Sequence, residues 1–178
     1  MVLARTLLPA PEPIGALTLG LTTAGLALVV FGDRPEIVDR TAARLGEPVV
    51  AGDGGIAAEQ LAEYLAGTRR AFDVTLDWSL TSGSQRQVLQ ALHGTVPFGT
   101  TVTYGEMAAR AWGRAERAYT AARGVGAIMG SNPLPVVVPC HRVLGSDSLG
   151  GFGGGRATKE WLLALEGVLT PALDFGPG

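Results

Sequence analysis

The first 45 residues alternate between apolar runs and polar breaks in a way that predicts two strands and a helix. Gly15–Asp33 carries strand-forming threonines and valines on either side of a break at Thr22–Gly25, where a glycine suits a turn. This segment predicts two strands joined by that turn. Pro35, a good helix-opening residue, precedes Glu36–Leu45, whose apolar residues recur at roughly helical spacing and predict a helix.

The following segment, up to residue 78, predicts a loop, a helix and a strand. Gly46–Gly55 is rich in glycine and is expected to form a loop. Ile56–Gly67 predicts an amphipathic helix that ends at its last glycine, and its apolar stripe consists of Ile56, Leu61, Tyr64 and Leu65. Phe72–Trp78 alternates apolar and polar residues with a period of two, which predicts a half-buried strand.

A polar linker, Ser79–Ser84, divides the chain into two expected domains, 1–78 and 79–178. The first domain is expected to mix strands and helices, and the second to be mainly helical. The expected fold class is therefore α+β. The linker leads into a helix predicted at Ser84–Gly94, with a serine cap and a terminal glycine.

Two helices with a turn between them follow and predict a helix-turn-helix. The first begins at Thr103, which forms a capping box with Glu106. The second lies in the segment RAERAYTAARGVGAIMG. A last helix, Ala157–Gly167, places Trp161, Leu162 and Leu165 on one side.

Composition excludes several classes of protein. With one cysteine in 178 residues, the chain has no intramolecular disulfide and no cysteine zinc cluster. No apolar stretch approaches the roughly 18 residues of a membrane span, and the N-terminal segment lacks the pattern of a signal peptide. These features favour a reducing, cytoplasmic location without membrane contact.

The net charge of the chain is only weak evidence against nucleic-acid binding. The net charge is −2, but residues 1–80 carry 6 basic and 10 acidic groups, whereas residues 81–178 carry 8 and 6. Of the 8 bases in the second half, 7 are arginine. This asymmetry permits DNA binding by the second half without requiring it.

The single cysteine lies in PVVVPCHRVLG, Pro135–Gly145, and a histidine follows it at once. A lone cysteine is usually an inert, small hydrophobic residue, and His141 by itself is as often structural as catalytic. The run Gly150–Gly155 is not a phosphate-binding loop, because it lacks the lysine and the Ser/Thr that follow the glycines there. It favours a close approach of backbone to a bound group.

The string VPCHRV, with SNP upstream and GGFGGG…KEWLLALEG downstream, resembles the O6-alkylguanine-DNA alkyltransferases, or methylated-DNA–protein-cysteine methyltransferases. The resemblance is dense from Thr103 to Gly167 and thinner upstream. It implies a ribonuclease-H-like first domain and a winged-helix-like second domain. It also implies suicide repair, in which Cys140 accepts an alkyl group from O6-alkylguanine, with O4-alkylthymine as a further substrate, once per molecule and without cofactor or metal.

The resemblance assigns roles to individual residues. His141 takes the thiol proton through a water, and Glu166 holds the far imidazole nitrogen. Tyr104 donates to the leaving base, and Asn132 shapes the turn near the cysteine. The residues that match positions lining the base pocket are Met129, Pro135, Val143, Phe152 and Gly153.

The partner implied is double-stranded DNA, bound by a monomer through the minor groove with the damaged base flipped out. Arg123 matches the arginine that fills the vacated stack. Ala121, Ala122 and Gly124 are small enough for a helix to press into a narrow groove. The alternatives are that Arg123 is a solvated helix charge and Tyr104 a core residue, and a glutamate near a helix end, such as Glu166, is usually solvated surface.

The chain departs from the family pattern at three places. Ser84 and Leu89 stand at positions that are usually aromatic, and the segment around WGRAER makes the stretch from Tyr104 to Arg123 about five residues longer. Phe152 and Gly153 replace a frequent tyrosine and serine, which predicts wider tolerance for bulky alkyl groups.

Three other classes of protein compete with a repair alkyltransferase as interpretations of the sequence. A non-catalytic lesion sensor would lack the cysteine, and an alkylation-reading regulator would carry a further cysteine-rich metal domain. A cysteine hydrolase would leave the helix-turn-helix unexplained.

Overall fold

The computed structural model describes residues 1–113, 118–145 and 152–169. Within these ranges the chain forms two compact units. The first comprises Met1–Ser82 together with Pro133–Val137, and the second comprises Gly83–Asn132 with the residues from Val138 onward. The expected mixture of helices and strands is confirmed. The predicted division into two domains, 1–78 and 79–178, stays a prediction.

The first unit is built on a sheet whose described part has four strands in the order β3-β2-β1-β4. They are β1 (Leu3–Pro9), β2 (Ala16–Thr22), β3 (Gly25–Phe31) and β4 (Val49–Ala51). The strands β1, β2 and β3 pair antiparallel in succession, and β4 runs parallel to β1. The predicted pair of strands with a turn at Thr22–Gly25 is confirmed as β2 and β3. Gly25 has φ 139°, a backbone conformation that side chains disfavour.

Two helices complete this unit, α1 (Pro35–Leu45) and α2 (Gly55–Leu65). In α1 a proline occupies the first turn and Gly46 ends the helix in the left-handed conformation, as helix-boundary chemistry favours. The core against α1 consists of Leu3, Ala27, Leu28, Val38, Ala42 and Leu80. In α2, Leu61, Tyr64 and Leu65 are buried as predicted, but Ile56 is 63% exposed. Placing Ile56 in the buried stripe was wrong, since it lies in the first turn of the helix.

Three other expectations for this unit differ from the structure. Strand β1 was not predicted, and Gly46–Gly55, expected as a loop, contains β4. Phe72–Trp78 forms no named strand, because its pairing with the sheet is limited to an isolated bridge between Leu26 and Leu76. Asp77 lies near the end of this segment, and its carboxylate accepts hydrogen bonds from the Thr22 and Ser79 hydroxyls.

The second unit opens with three helices, α3 (Gly83–Thr95), α4 (Tyr104–Trp112) and α5 (Ala118–Gly130). Helix α4 packs against both α3 and α5. The capping box predicted at its start is confirmed: the Glu106 amide donates to Thr103 Oγ1 at 3.1 Å, and the Thr103 amide donates to Glu106 Oε1 at 2.8 Å. The inserted turn expected around WGRAER lies mostly outside the described residues, which omit 114–117.

A short parallel pairing joins β5 (Val102–Thr103) to β6 (Val143–Leu144). A 3-10 helix, Cys140–Arg142, immediately precedes β6, and α6 (Arg156–Leu165) follows. The buried face of α6 consists of Thr158, Lys159, Leu162 and Leu163. Trp161 and Leu165, predicted on one side with Leu162, are only half-buried. Over the residues described, no helix has the length and hydropathy that crossing a membrane requires.

Candidate active site

Cys140 begins the 3-10 helix and has 4% of its surface exposed. The Val138 carbonyl accepts two hydrogen bonds, one from the Cys140 amide at 2.8 Å and one from Asn132 Nδ2 at 2.9 Å. One acceptor therefore ties the turn at Asn132 to the cysteine.

The environment of the thiol opposes its ionisation. Burial raises the pKa of Cys140 to about 11, while the hydrogen bond from Asn132 and the positive charge of Lys159 act in the opposite direction. Proton removal is consequently a step that the site has to assist, because the thiolate is the nucleophilic form of cysteine.

His141 follows the cysteine and is fully buried. Its Nε2 lies 2.8 Å from Glu166 Oε2. Burial has the largest effect on the pKa of His141 and lowers it, which favours the neutral ring. The pKa of Glu166 is strongly lowered by the hydrogen bonds from His141 and Arg142, which outweigh the raising effect of burial, so this carboxylate is ionised. An ionised carboxylate only accepts, so Nε2 donates and Nδ1 is the basic nitrogen of the neutral ring.

Hydrogen bonds from His141, Arg142 and Gly99 converge on Glu166. Besides the His141 bond, Arg142 donates from Nε to Oε1 and from its NH2 group to Oε2, each at 2.8 Å, and the Gly99 amide donates to Oε1 at 3.2 Å. The Glu166 side chain is 0% exposed. A buried carboxylate held by this many donors is fixed in position and charge.

Lys159 is a buried residue of the site that sequence reasoning missed. It is 0% exposed, and its ammonium donates to the Val143 carbonyl at 2.8 Å, next to the 3-10 helix. Burial lowers the pKa of Lys159, and the nearby Cys140 opposes that shift. The sequence carried a signal for it, because residues 159, 162, 163 and 166 follow the apolar spacing of α6, and a lysine in such a stripe is unusual.

Tyr104 is the first residue of α4 and is half-buried. The β5–β6 pairing sets Val102 opposite Val143, so the backbone leading to Tyr104 lies beside the backbone leaving the cysteine turn. The structure thus brings the predicted Tyr104 and Cys140 segments together through the backbone.

The other predicted residues are distributed as follows. Met129, Pro135 and Val143 are buried, Phe152 is half-buried and Gly153 is exposed. Pro135 belongs to the first unit and the other four to the second. On α5, Arg123 and Gly124 are exposed and Ala121 and Ala122 are half-buried. A Cβ added at Gly124 would meet no atom within 4 Å, so packing does not require a glycine there.

Comparison with known proteins identifies the family. Residues 83–168 match the model of the 6-O-methylguanine DNA methyltransferase DNA-binding domain. A methylated-DNA–protein-cysteine methyltransferase of Mycolicibacterium paratuberculosis is 42% identical over 90% of this chain and 92% of its own length. The chain belongs to the methylated-DNA–protein-cysteine methyltransferase family. The family resemblance expected from the sequence is confirmed.

Solved structures of this family share the fold over nearly the whole chain. The Mycobacterium tuberculosis O6-methylguanine methyltransferase is 34% identical, covers 96% of both chains and has a TM-score of 0.75. The M. tuberculosis OGT in complex with DNA is 33% identical, covers 93% of this chain and 92% of its own, and has a TM-score of 0.72. All the residues that hold the Cys140–His141–Glu166 geometry fall inside the matched family domain.

The protonation states in this site predict how stability depends on pH. A buried, neutral His141 binds fewer protons than the unfolded chain does below a pH of about 6.5, so the free energy of unfolding should fall by about 1.4 kcal/mol per pH unit as the pH drops below that value. Glu166, whose folded pKa is depressed, adds a further loss below a pH of about 4.3.

Urea unfolding at about pH 7.5 and about pH 5.5 measures this slope. The chain has two histidines, which supplies a matched control. His141→Gln should flatten the dependence, whereas His93→Gln, at an exposed position, should keep it. An equal slope in the wild type and in His141→Gln would contradict the assignment.

Proposed function

We propose that this protein repairs DNA by moving the alkyl group of O6-alkylguanine to Cys140 Sγ, once per molecule. The observation that carries the proposal is the buried His141–Glu166 pair beside the family's cysteine, with Nε2 committed to the carboxylate. Such a pair orients a base for a nucleophile, which is the logic of a catalytic triad.

In the proposed reaction, the Cys140 proton passes through a bridging water to His141 Nδ1. The sulfur then attacks the alkyl carbon in line with the carbon–oxygen bond, that bond breaks, and the guanine leaves as an anion. Tyr104 supplies a hydrogen bond or a proton to the base. The proton that His141 took from the thiol then passes through water to the tyrosinate or to the guanine anion, so the net charge is unchanged. The thioether product has no exchangeable bond, and the chain has no second cysteine to attack it, so turnover ends there.

We further propose that double-stranded DNA binds through the minor groove to a helix-turn-helix formed by α4 and α5, within a winged-helix-like second domain. Arg123 fills the space of the flipped base, and Ala121, Ala122 and Gly124 allow a close approach to the groove. The exposure of Arg123 and Gly124 on α5 supports this role. The base would enter a pocket that contains Met129, Pro135, Val143, Phe152 and Gly153.

The remaining proposals concern the protein as a whole. We propose that residues 1–78 form a ribonuclease-H-like supporting domain and that residues 79–178 carry the chemistry. The protein acts as a monomer in the cytoplasm, where thiols stay reduced. No cofactor or metal takes part in the proposed steps.

The experiment is intact mass spectrometry after mixing the protein with duplex DNA that contains one O6-methylguanine. We expect a gain of one methylene, roughly 14 Da, by at most one group per chain, and peptide mapping should place it on Cys140. Undamaged duplex of the same sequence is the control and should leave the mass unchanged. Tight binding to the damaged duplex without any gain in mass would overturn transfer in favour of a lesion sensor.

A further inference from the structure

Arg142 belongs to the motif PCHRV, yet the proposed reaction gives it no role. Its guanidinium meets Glu166 as a two-pronged fork, with both contacts at 2.8 Å, and its NH1 group donates to the Val96 carbonyl at 2.8 Å. The guanidinium carbon lies 6.0 Å from the centroid of the Phe98 ring. The Arg142 side chain is 7% exposed, so all of these contacts are made away from bulk water.

We propose that Arg142 is a positioning residue of alkyl transfer: it holds Glu166 as the anion, in the orientation that commits His141 Nε2 to the carboxylate and makes Nδ1 the nitrogen that accepts the thiol proton. The inference deepens the proposed function and rests on it.

The geometry supports this role because one carboxylate oxygen serves both residues. Glu166 Oε2 accepts from His141 Nε2 and from Arg142, so the oxygen that orients the imidazole is itself held by the guanidinium. The second prong fixes the other oxygen, Oε1, and prevents rotation of the carboxylate. A lysine could supply the charge but not this planar, two-point contact.

The charge of Arg142 matters as much as its shape. A buried carboxylate beside an imidazole would by itself draw a proton onto the ring and block it as a base. Arg142 neutralises that pull, and its positive charge lowers the pKa of His141 together with the effect of burial. The charged groups that act on His141 are Glu166 and Lys159 at α6 and Arg142 on its own 3-10 helix, and the titratable Cys140 precedes it in that helix.

Two hydrogen bonds connect the Arg142–Glu166 pair to the loop before α4. The Val96 carbonyl accepts from Arg142, and the Gly99 amide donates to Glu166, so both members of the pair contact this loop. The loop leads to β5 and then directly to Tyr104. Arg142 thereby links the segment of the proton acceptor to the segment that carries the proposed leaving-group donor.

The test separates charge from shape with two variants. Arg142→Met removes both, and we expect the acid limb of the pH–rate profile of transfer to move up by about one pH unit. Arg142→Lys keeps the charge but loses the fork, and we expect a lower plateau rate with the limb unmoved. The matched control is Arg156→Met, which breaks an exposed pair with Glu160 and should change neither.

A second readout needs no DNA. In protein labelled with ¹³C-histidine, the two histidine signals are assigned with His93→Gln, and the titration midpoint of His141 should rise in Arg142→Met but not in Arg156→Met. A wild-type midpoint in Arg142→Met, with a rate lowered equally at every pH, would overturn the proposal and leave Arg142 a packing residue. If Arg142→Met does not fold, a full plateau rate in Arg142→Lys would overturn it.

The two proposals fail in distinguishable ways. Wild-type protein that takes up no methyl group from damaged DNA defeats the proposed function. The histidine titration still decides whether Arg142 sets the protonation of His141.

Discussion

Cys140→Ser is expected to abolish alkyl transfer while leaving the fold intact. The serine hydroxyl is close in size to the thiol but is a far weaker nucleophile, and removal of a nucleophile costs on the order of 10⁴-fold or more in rate. Intact mass spectrometry with O6-methylguanine duplex should show no added methyl group at any incubation time.

The control for this variant is retained structure and retained binding. Thermal unfolding of Cys140→Ser should match that of the wild type, and the damaged duplex should still bind, since the proposed DNA contacts lie on α5. Methyl uptake by the serine variant would show that another side chain accepts the group and would remove Cys140 from the centre of the mechanism.

Glu166→Ala is expected to damage both stability and activity. The substitution leaves the buried Arg142 guanidinium without its carboxylate and the Gly99 amide without this acceptor. Breaking a buried ion pair by removing one partner costs about 3–5 kcal/mol. The transfer rate should fall by about 100-fold or more, because the imidazole loses the group that fixes its tautomer.

Helix α6 offers a matched control for this prediction. Glu160 lies on the same helix, partly exposed, and pairs with the exposed Arg156. Glu160→Ala should change the free energy of unfolding by less than about 0.5 kcal/mol and leave transfer unaffected. Glu166→Gln keeps the shape without the charge, and a wild-type rate in that variant would exclude a role for the anion.

Local sequence signals predicted the elements whose stabilising contacts are close in sequence. The turn between β2 and β3, the proline opening of α1 and the capping box of Thr103 and Glu106 each depend on residues within a few positions of one another. Strand β4 was missed because it has three residues and its partner β1 lies more than forty positions earlier. Phe72–Leu76 does alternate between half-buried and exposed residues, but alternation alone does not supply a partner strand.

In the candidate site, too, contacts between residues close in sequence were easier to predict than contacts between distant ones. Cys140 and His141 are adjacent, but the contact between His141 and Glu166 spans 25 positions and was predicted only through family resemblance. Arg142 received no role because a sequence motif does not show which side chain contacts which. Lys159 was overlooked although it stands at a buried position of α6, where hydropathy predicts an apolar residue.

The route of the backbone limits how this protein can be dissected. The five residues Pro133–Val137 are counted with the first unit, and the Val29 amide donates to the Pro133 carbonyl at 2.8 Å. A fragment that starts at residue 83 would carry this segment without its strand partner, and Leu134, Val136 and Val137, now buried, would face water. Expression of the cysteine-bearing half by itself would therefore yield a polypeptide that aggregates through exposed apolar side chains. Any truncated version of the protein would first need polar substitutions at these positions.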